Sequence, residues 1–289
     1  MPDASRPLAQ PPATLDGEGG WRARLALGFT AEDGPTRLTR RSHEGPLVVQ
    51  RPLYPEGERV CQCIVVHPPG GIAGGDRLAL SVDVGPRAHA QLTTPGAAKW
   101  YRSGGKPSRQ QINFRVADGA VLEWLPQGAI VFDDADAATT ARIELEGSGA
   151  YVGWDVVCLG RTASAERFRT GRWRQRVDIV RDGALVWSER LSLRGDSRLL
   201  ISPAGLNGAP VFGTFVVMAA TIDDQLLAAC RGVAPARGDG AVTRLPGALV
   251  ARYRGDASEA AHEYFSALWT TLRPHAAGRP AVRPRIWRT

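Results

Sequence analysis

Cys61, Cys63 and His67 share parity along the chain. A straight strand would therefore turn two soft sulfurs and an imidazole to one face, a ligand set for a borderline divalent metal. Pro68 and Pro69 follow the histidine and redirect it, and C-x-C on a strand equally packs as two small buried side chains. Asp133, Asp134 and Asp136 follow an apolar run; three carboxylates there either hold a cation through oxygen or form a solvated turn. Between His67 and Asp76 the chain reads HPPGGIAGGD. Its prolines and its four glycines, Gly70, Gly71, Gly74 and Gly75, fix a sharply bent loop with a histidine at one end and a carboxylate at the other. Such a loop is either a tight strand connection or a backbone surface that approaches a ligand closely.

Familiar catalytic signatures do not complete. His262-Glu263 lacks the second histidine of a zinc-protease helix, and Gly147-Ser148-Gly149 reaches its next glycine only at Gly153, without a helix start to hold a pyrophosphate. No Walker sequence and no G-x-S-x-G elbow is present. One enzymatic alternative stays open, a cytoplasmic β-fold hydrolase or carbohydrate-binding enzyme using Glu123, Asp133 or Asp134 as paired carboxylates. Lys and Arg number 36 against 29 Asp and Glu, which invites a nucleic-acid reading. The cations are scattered from Arg6 to Arg288 without a basic block, which argues against nucleic acid and leaves acidic protein partners. No apolar run approaches 18 residues, so no membrane partner is expected, and the first residues lack the pattern of a signal peptide. Four cysteines in 289 residues suggest no disulfide framework, and a reducing cytoplasm is the expected location.

These side chains need elements to position them. Residues 1–20 are rich in Pro, Ala and Gly without periodic apolarity and read as a flexible arm. From Trp21 the signal is period two: Leu78, Leu80, Val82 and Val84; then Ile112, Phe114 and Val116; Leu122 and Trp124; Ile143 and Leu145. Asp118-Gly119, Gly147-Ser148-Gly149 and Asp182-Gly183 lie between such runs and predict hairpins. The chain thus reads as mainly β to about residue 220, an antiparallel sandwich, a barrel or a coiled stack of sheets. Helices are predicted near 223–231, ending at Gly232, and 257–272. The second has an apolar stripe from Ala261 to Leu272, a capping box of Asp256 and Glu259, and a stop at Pro274. Their apolar faces either pack on the β body or dock a partner helix.

Three motifs in order change this reading: HPPGGIAGGD from His67, TTPGAAKWYRS from Thr93 and LEWLPQGAIVFD from Leu122. With CLGRTASAERF from Cys158 and the ending PRIWRT from Pro284, the chain resembles the UreD (also UreH) family of urease accessory proteins over about residues 25–289. The resemblance implies a single domain over 21–289, an elongated β-helix-like stack of sheets with a small C-terminal helical part. It implies a metallochaperone scaffold without turnover of its own, acting with UreF and, through that complex, the GTPase UreG on apo-urease. No tightly bound cofactor is implied, only transient Ni²⁺ moving through an internal water-filled channel. By motif position, Asp76, Glu123, Asp133 and Glu166 fall to this path or its mouth, with Arg161 orienting a carboxylate, unless each is an ion pair or turn cap that holds the fold. The chain departs from the family twice: Gly128 stands where a glutamate is common after Gln127, and Ala165 where a glycine is common before Glu166.

Overall fold

The computed structural model describes residues 19–31, 34–219 and 222–288; the expected arm, apart from Gly19 and Gly20, lies outside the described residues. The alternating runs become strands β1 (Arg22–Ala31), β2 (Thr36–Glu44), β3 (Val48–Val49), β4 (Cys61–Val66), β5 (Arg77–Val84) and β6 (His89–Thr93). Next come β7 (Ala98–Trp100), β8 (Ser108–Val116), β9 (Val121–Leu125), β10 (Ala129–Val131), β11 (Asp136–Leu145) and β12 (Ala150–Leu159). The series continues with β13 (Arg172–Arg181), β14 (Ala184–Arg194), β15 (Val211–Met218), β16 (Asp239–Leu245) and β17 (Ala248–Gly255), with helices α1 (Asp224–Arg231) and α2 (Ser258–Ala277).

Two sheets stack face to face, one ordered β14-β13-β11-β8-β5-β1-β2, the other β16-β17-β15-β12-β9-β6-β4-β3. The chain crosses between them at each coil, β4 to β5, β6 to β8, β9 to β11 and β12 to β13, laying a parallel strand beside its predecessor in each sheet. Short β10 pairs in parallel with β7 on one side and with the end of β12 on the other, a third, narrow side. This is a solenoid-like stack, as the resemblance implied.

The pairing corrects the hairpin expectation. Only Asp182-Gly183 closes one, between antiparallel β13 and β14. Asp118-Gly119 and Gly147-Ser148-Gly149 instead arch from one sheet to the other. Alternation along a strand says which face is buried but not which neighbour it pairs with, and positive φ at Gly119 and Gly147 permits either turn. The arches stack on one another: Asp118 Oδ1 accepts from Ser148 N at 2.8 Å, and Asp182 Oδ1 accepts from Gly147 N at 2.9 Å.

Two apolar layers result. Inward positions of both sheets, including Leu80, Phe114, Trp100 and Trp173, fill the gap between them. The other face of β12, β15 and β17 is covered by α2 through Phe265, Leu268 and Trp269, so the helical stripe packs on the β body. Strands β16 and β17 extend the β region past residue 220, which the polar, arginine-interrupted sequence there concealed. No helix among the described residues is long and apolar enough to cross a membrane.

Helix α2 runs through Pro274 to Ala277 and stops at Gly278 in a left-handed conformation, and Asp256 pairs with Arg237 instead of capping it. A proline inside a helix forfeits a backbone bond, and the neighbouring Arg273 compensates. Fully buried, its guanidinium donates to both Glu123 oxygens at 2.9–3.1 Å and to Glu56 at 2.6 and 2.9 Å. Trp269 Nε1 donates to Glu123 Oε2 at 2.7 Å, and His89 Nε2 lies 2.6 Å from Oε1.

Burial alone would raise the Glu123 carboxyl; the His89 contact and the Arg273 charge outweigh it and hold the group at about 2. Arg273→Met leaves that carboxylate buried without its guanidinium partner, and urea denaturation should show a loss of roughly 3–5 kcal/mol. A depressed folded-state value stabilises above the unfolded value of 4.5 and stops doing so as pH falls through about 2. The stability of the unaltered protein should therefore drop between those values, and Glu123→Gln should flatten that drop.

Candidate functional site

Strand β12, AYVGWDVVCL, is apolar except for one acid. Parity sends Trp154, Val156 and Cys158 toward α2, and Tyr151, Val157 and Leu159 into the gap between the sheets. Asp155 has the second parity, so its carboxylate enters an otherwise apolar layer. Gln175 of β13 meets it there, Nε2 donating to Oδ2 at 3.0 Å. Gln175 ends a polar row on the inner face of the facing sheet, where register sets Gln110 beside Thr139 and Thr139 beside Gln175. Thr214, opposite Asp155 on β15, donates to Glu189 of β14 at 3.4 Å, and Arg252 of β17 forms an ion pair with the same Glu189 oxygen.

Two cavities meet at this acid. One of about 430 Å³ runs from His67, Gly70 and Gly71 past the Thr94–Lys99 segment to Asp155, Val157 and Gln175. The second, about 500 Å³, starts from those three residues and continues past Glu189 and Thr214 to Arg252 and Arg254. Asp155 is half-buried by area, and its accessible part faces these cavities. Burial first, and the Glu189 charge second, push its carboxyl up to about 7, against the bond from Gln175. At neutral pH this oxygen site exchanges its proton readily, and amide, hydroxyl and carboxylate oxygens suit brief, weak contacts with a divalent cation.

Of the residues singled out from the sequence, the structure brings His67, Gly70 and Gly71 to the mouth of the first cavity. A side-chain carbon on Gly71 would meet the Tyr101 ring at 2.1 Å, so only glycine fits there. Gly74 and Gly75 shape the bend, since a Cβ on Gly74 would lie 2.1 Å from Ser103 O. Asp76 caps this loop, accepting from Trp21 N at 2.9 Å and Ala73 N at 2.8 Å. Glu123 lies in the buried network under α2. Asp133 Oδ1 accepts from Arg169 N, Thr170 N and Thr170 Oγ1 at 2.8–3.0 Å, and these bonds overcome burial to lower its carboxyl. Arg161 and Glu166 form a two-pronged pair at 3.1 Å, with the guanidinium 4.7 Å over the Phe132 ring.

Cys61 and Cys63 are both buried on the inner face of β4, as parity predicts. His67 lies past the end of that strand, and among the described residues no three His, Cys, Asp or Glu side chains are grouped to hold a metal ion. The proline turn parts the imidazole from the thiols.

Both family departures fall where they can be read. Gly128, at φ +80°, lines the first cavity, and a Cβ there would meet Val156 O at 2.5 Å. Ala165 keeps a left-handed φ of +56° where glycine would be unstrained. Sequence reasoning missed Asp155, Gln175 and Glu189. The available signal was a single acid at inward parity within a ten-residue apolar strand.

The family model for UreD urease accessory protein matches residues 22–288. The urease accessory protein UreD of Dechloromonas aromatica is 51% identical over 289 residues, covering 98% of each chain. That of Azoarcus sp. is 52% identical over 270 residues, covering 93% of this chain and 95% of its own, and UreD 2 of Pseudomonas syringae pv. syringae is 52% identical over 272 with the same coverage.

A carboxyl raised above its unfolded value of 3.8 favours folding below that value and ceases to as pH climbs through about 7. Asp155→Asn removes the ionisation. Its melting temperature should exceed that of the unaltered protein by about 3 °C at pH 8 and match it near pH 4, as read by calorimetry.

Proposed function

Because the chain belongs to the UreD family of urease accessory proteins and serves urease maturation, we propose that it is a non-catalytic scaffold that passes Ni²⁺ between partners through the gap between its two sheets. The observation that carries this reading is Asp155, the acid shared by both cavities, with a carboxyl near neutral titration. Nickel enters at one cavity, displaces the Asp155 proton to solvent, and leaves through the other cavity past Glu189. Gln175 orients the carboxylate, and Glu189 supplies the next oxygen. Thiols are not needed: a relay releases its cargo, and sulfur ligands would retain it.

Family membership supports the partners of this reading: UreF and apo-urease dock directly, and UreG through the complex with UreF, in the cytoplasm. The hydrolase alternative loses its residues, since Glu123 is neutralised by Arg273 and Asp133 is consumed by a turn, and the relatives are named accessory proteins.

The test is reconstitution of apo-urease with UreF, UreG, GTP and Ni²⁺. Asp155→Ala should lower urease nickel, measured by mass spectrometry, by about tenfold or more, the equivalent of one lost charge-assisted contact. It should still co-purify UreF and apo-urease. Nickel delivery by the unaltered protein should rise from pH 6 to 8, and Asp155→Asn should abolish that rise. Undiminished delivery by Asp155→Ala would sink the relay.

A further inference from the structure

The first cavity carries hydrogen-bonding groups that the fold leaves unused. Gln110 of β8 and Thr139 of β11 stand side by side in register and line it, and among the described residues neither side chain has a hydrogen-bond partner. Trp173 of β13, fully buried, lines the same cavity, and its Nε1–H meets no acceptor among them either. Native interiors leave few such groups unpaired, and each one costs stability. Three at one cavity point to an occupant with polar atoms of its own.

The rest of the lining sets what else that occupant must be. Leu78, in register with Gln110, stands with Leu80, Ile112 and Trp124 in the apolar layer, and the Trp100 and Trp173 rings meet edge to face, 5.5 Å between centroids. Apolar and aromatic walls with a few placed polar groups are the usual composition of a small-molecule site. At about 430 Å³ the cavity has room for an aromatic ring, since a void of roughly 150 Å³ suffices for benzene. The side-chain amide of Gln110 offers a donor and an acceptor, and the complement of that pair is another amide. A carboxylate in this place would face Asp155, and an ammonium would exchange water for apolar walls. The head group is therefore neutral. We propose that the first cavity is a binding site for a small neutral aromatic carboxamide, its ring among the tryptophans and its head on Gln110 and Thr139. The mouth at Gly70, Gly71 and the Thr94–Lys99 segment is its way in. This binding needs no cation, although an occupant here would stand across the path proposed for nickel.

The probe is benzamide, titrated into the full chain without metal and followed by calorimetry. Saturable binding with a Kd on the order of 0.5 mM is expected for a ligand of this size. Benzoate, which puts a charge on the head, and toluene, which lacks the head, should each bind at least about fivefold more weakly. Q110L should weaken benzamide about fivefold, whereas Q111L, at the next residue, which is exposed, should leave it unchanged. T139V, which removes the hydroxyl and keeps nearly the same shape, repeats the test should Q110L fail to fold. Absence of saturation, equal effects of Q110L and Q111L, or toluene or benzoate bound as tightly as benzamide would each overturn the proposal. Because no metal is present, none of these outcomes bears on the relay, and loss of the relay would leave the amide site standing.

Discussion

Parallel, in-register stacking of successive coils is the constraint on which this molecule depends. Each strand repeats the inward and outward positions of its neighbour about 4.8 Å away, so a residue type at one position becomes a stripe across the sheet. Apolar stripes give the core between the sheets. A polar inward stripe, Gln110, Thr139 and Gln175, faces the gap between the sheets, and an outward one sets Arg22, Arg77 and Arg109 side by side. Core, polar lining and outer face are one pattern read on different rows.

Much of this was legible in the sequence, and the limits have physical causes. Period two located the strands that pair in parallel because each buries one face, as Leu78, Leu80, Val82 and Val84 do on β5. It could not say that β5 pairs with β1 and β8, since partner choice depends on long-range packing. Strands β16 and β17 escaped notice because their exposed positions carry Asp239, Arg244 and Arg252, which blur alternation. Pro274 reads as a stop locally, yet the helix continues to Ala277, anchored beside the proline by the ion pair of Arg273 with a glutamate 150 residues earlier. Motif positions located the glycine loop at the cavity mouth, but Asp155 has no motif of its own beyond its parity. Register neighbours are invisible one-dimensionally too: Arg22, Arg77 and Arg109 are far apart along the chain and come side by side through strand pairing alone.

Two buried acids show how partners decide what a carboxylate does. Glu123 and Asp155 both leave water, and burial is the largest influence on each. Glu123 meets a guanidinium, an indole N–H and an imidazole, stays ionised, and pins α2 to the sheet. Asp155 meets one amide and the nearby charge of Glu189, which pushes it the other way. The first arrangement is tight and fully satisfied, as a structural anchor must be. The second carries a single amide bond and opens onto a cavity.

The glycine at position 128 sharpens this contrast. It lines the first cavity at the position where the resemblance to the family motif leads one to expect glutamate, and its left-handed backbone brings the Cβ position against the carbonyl of Val156, the residue that follows Asp155. A glutamate in this local backbone would be strained and would crowd the strand that carries Asp155. The loop therefore gives up a wall carboxylate. Asp155 is then the acid common to both cavities, and with fewer negative charges nearby its proton is held less tightly than it would be with a third carboxylate on the wall. One fewer oxygen site along the wall thus keeps the Asp155 carboxyl from being pushed further above the ordinary carboxylate range.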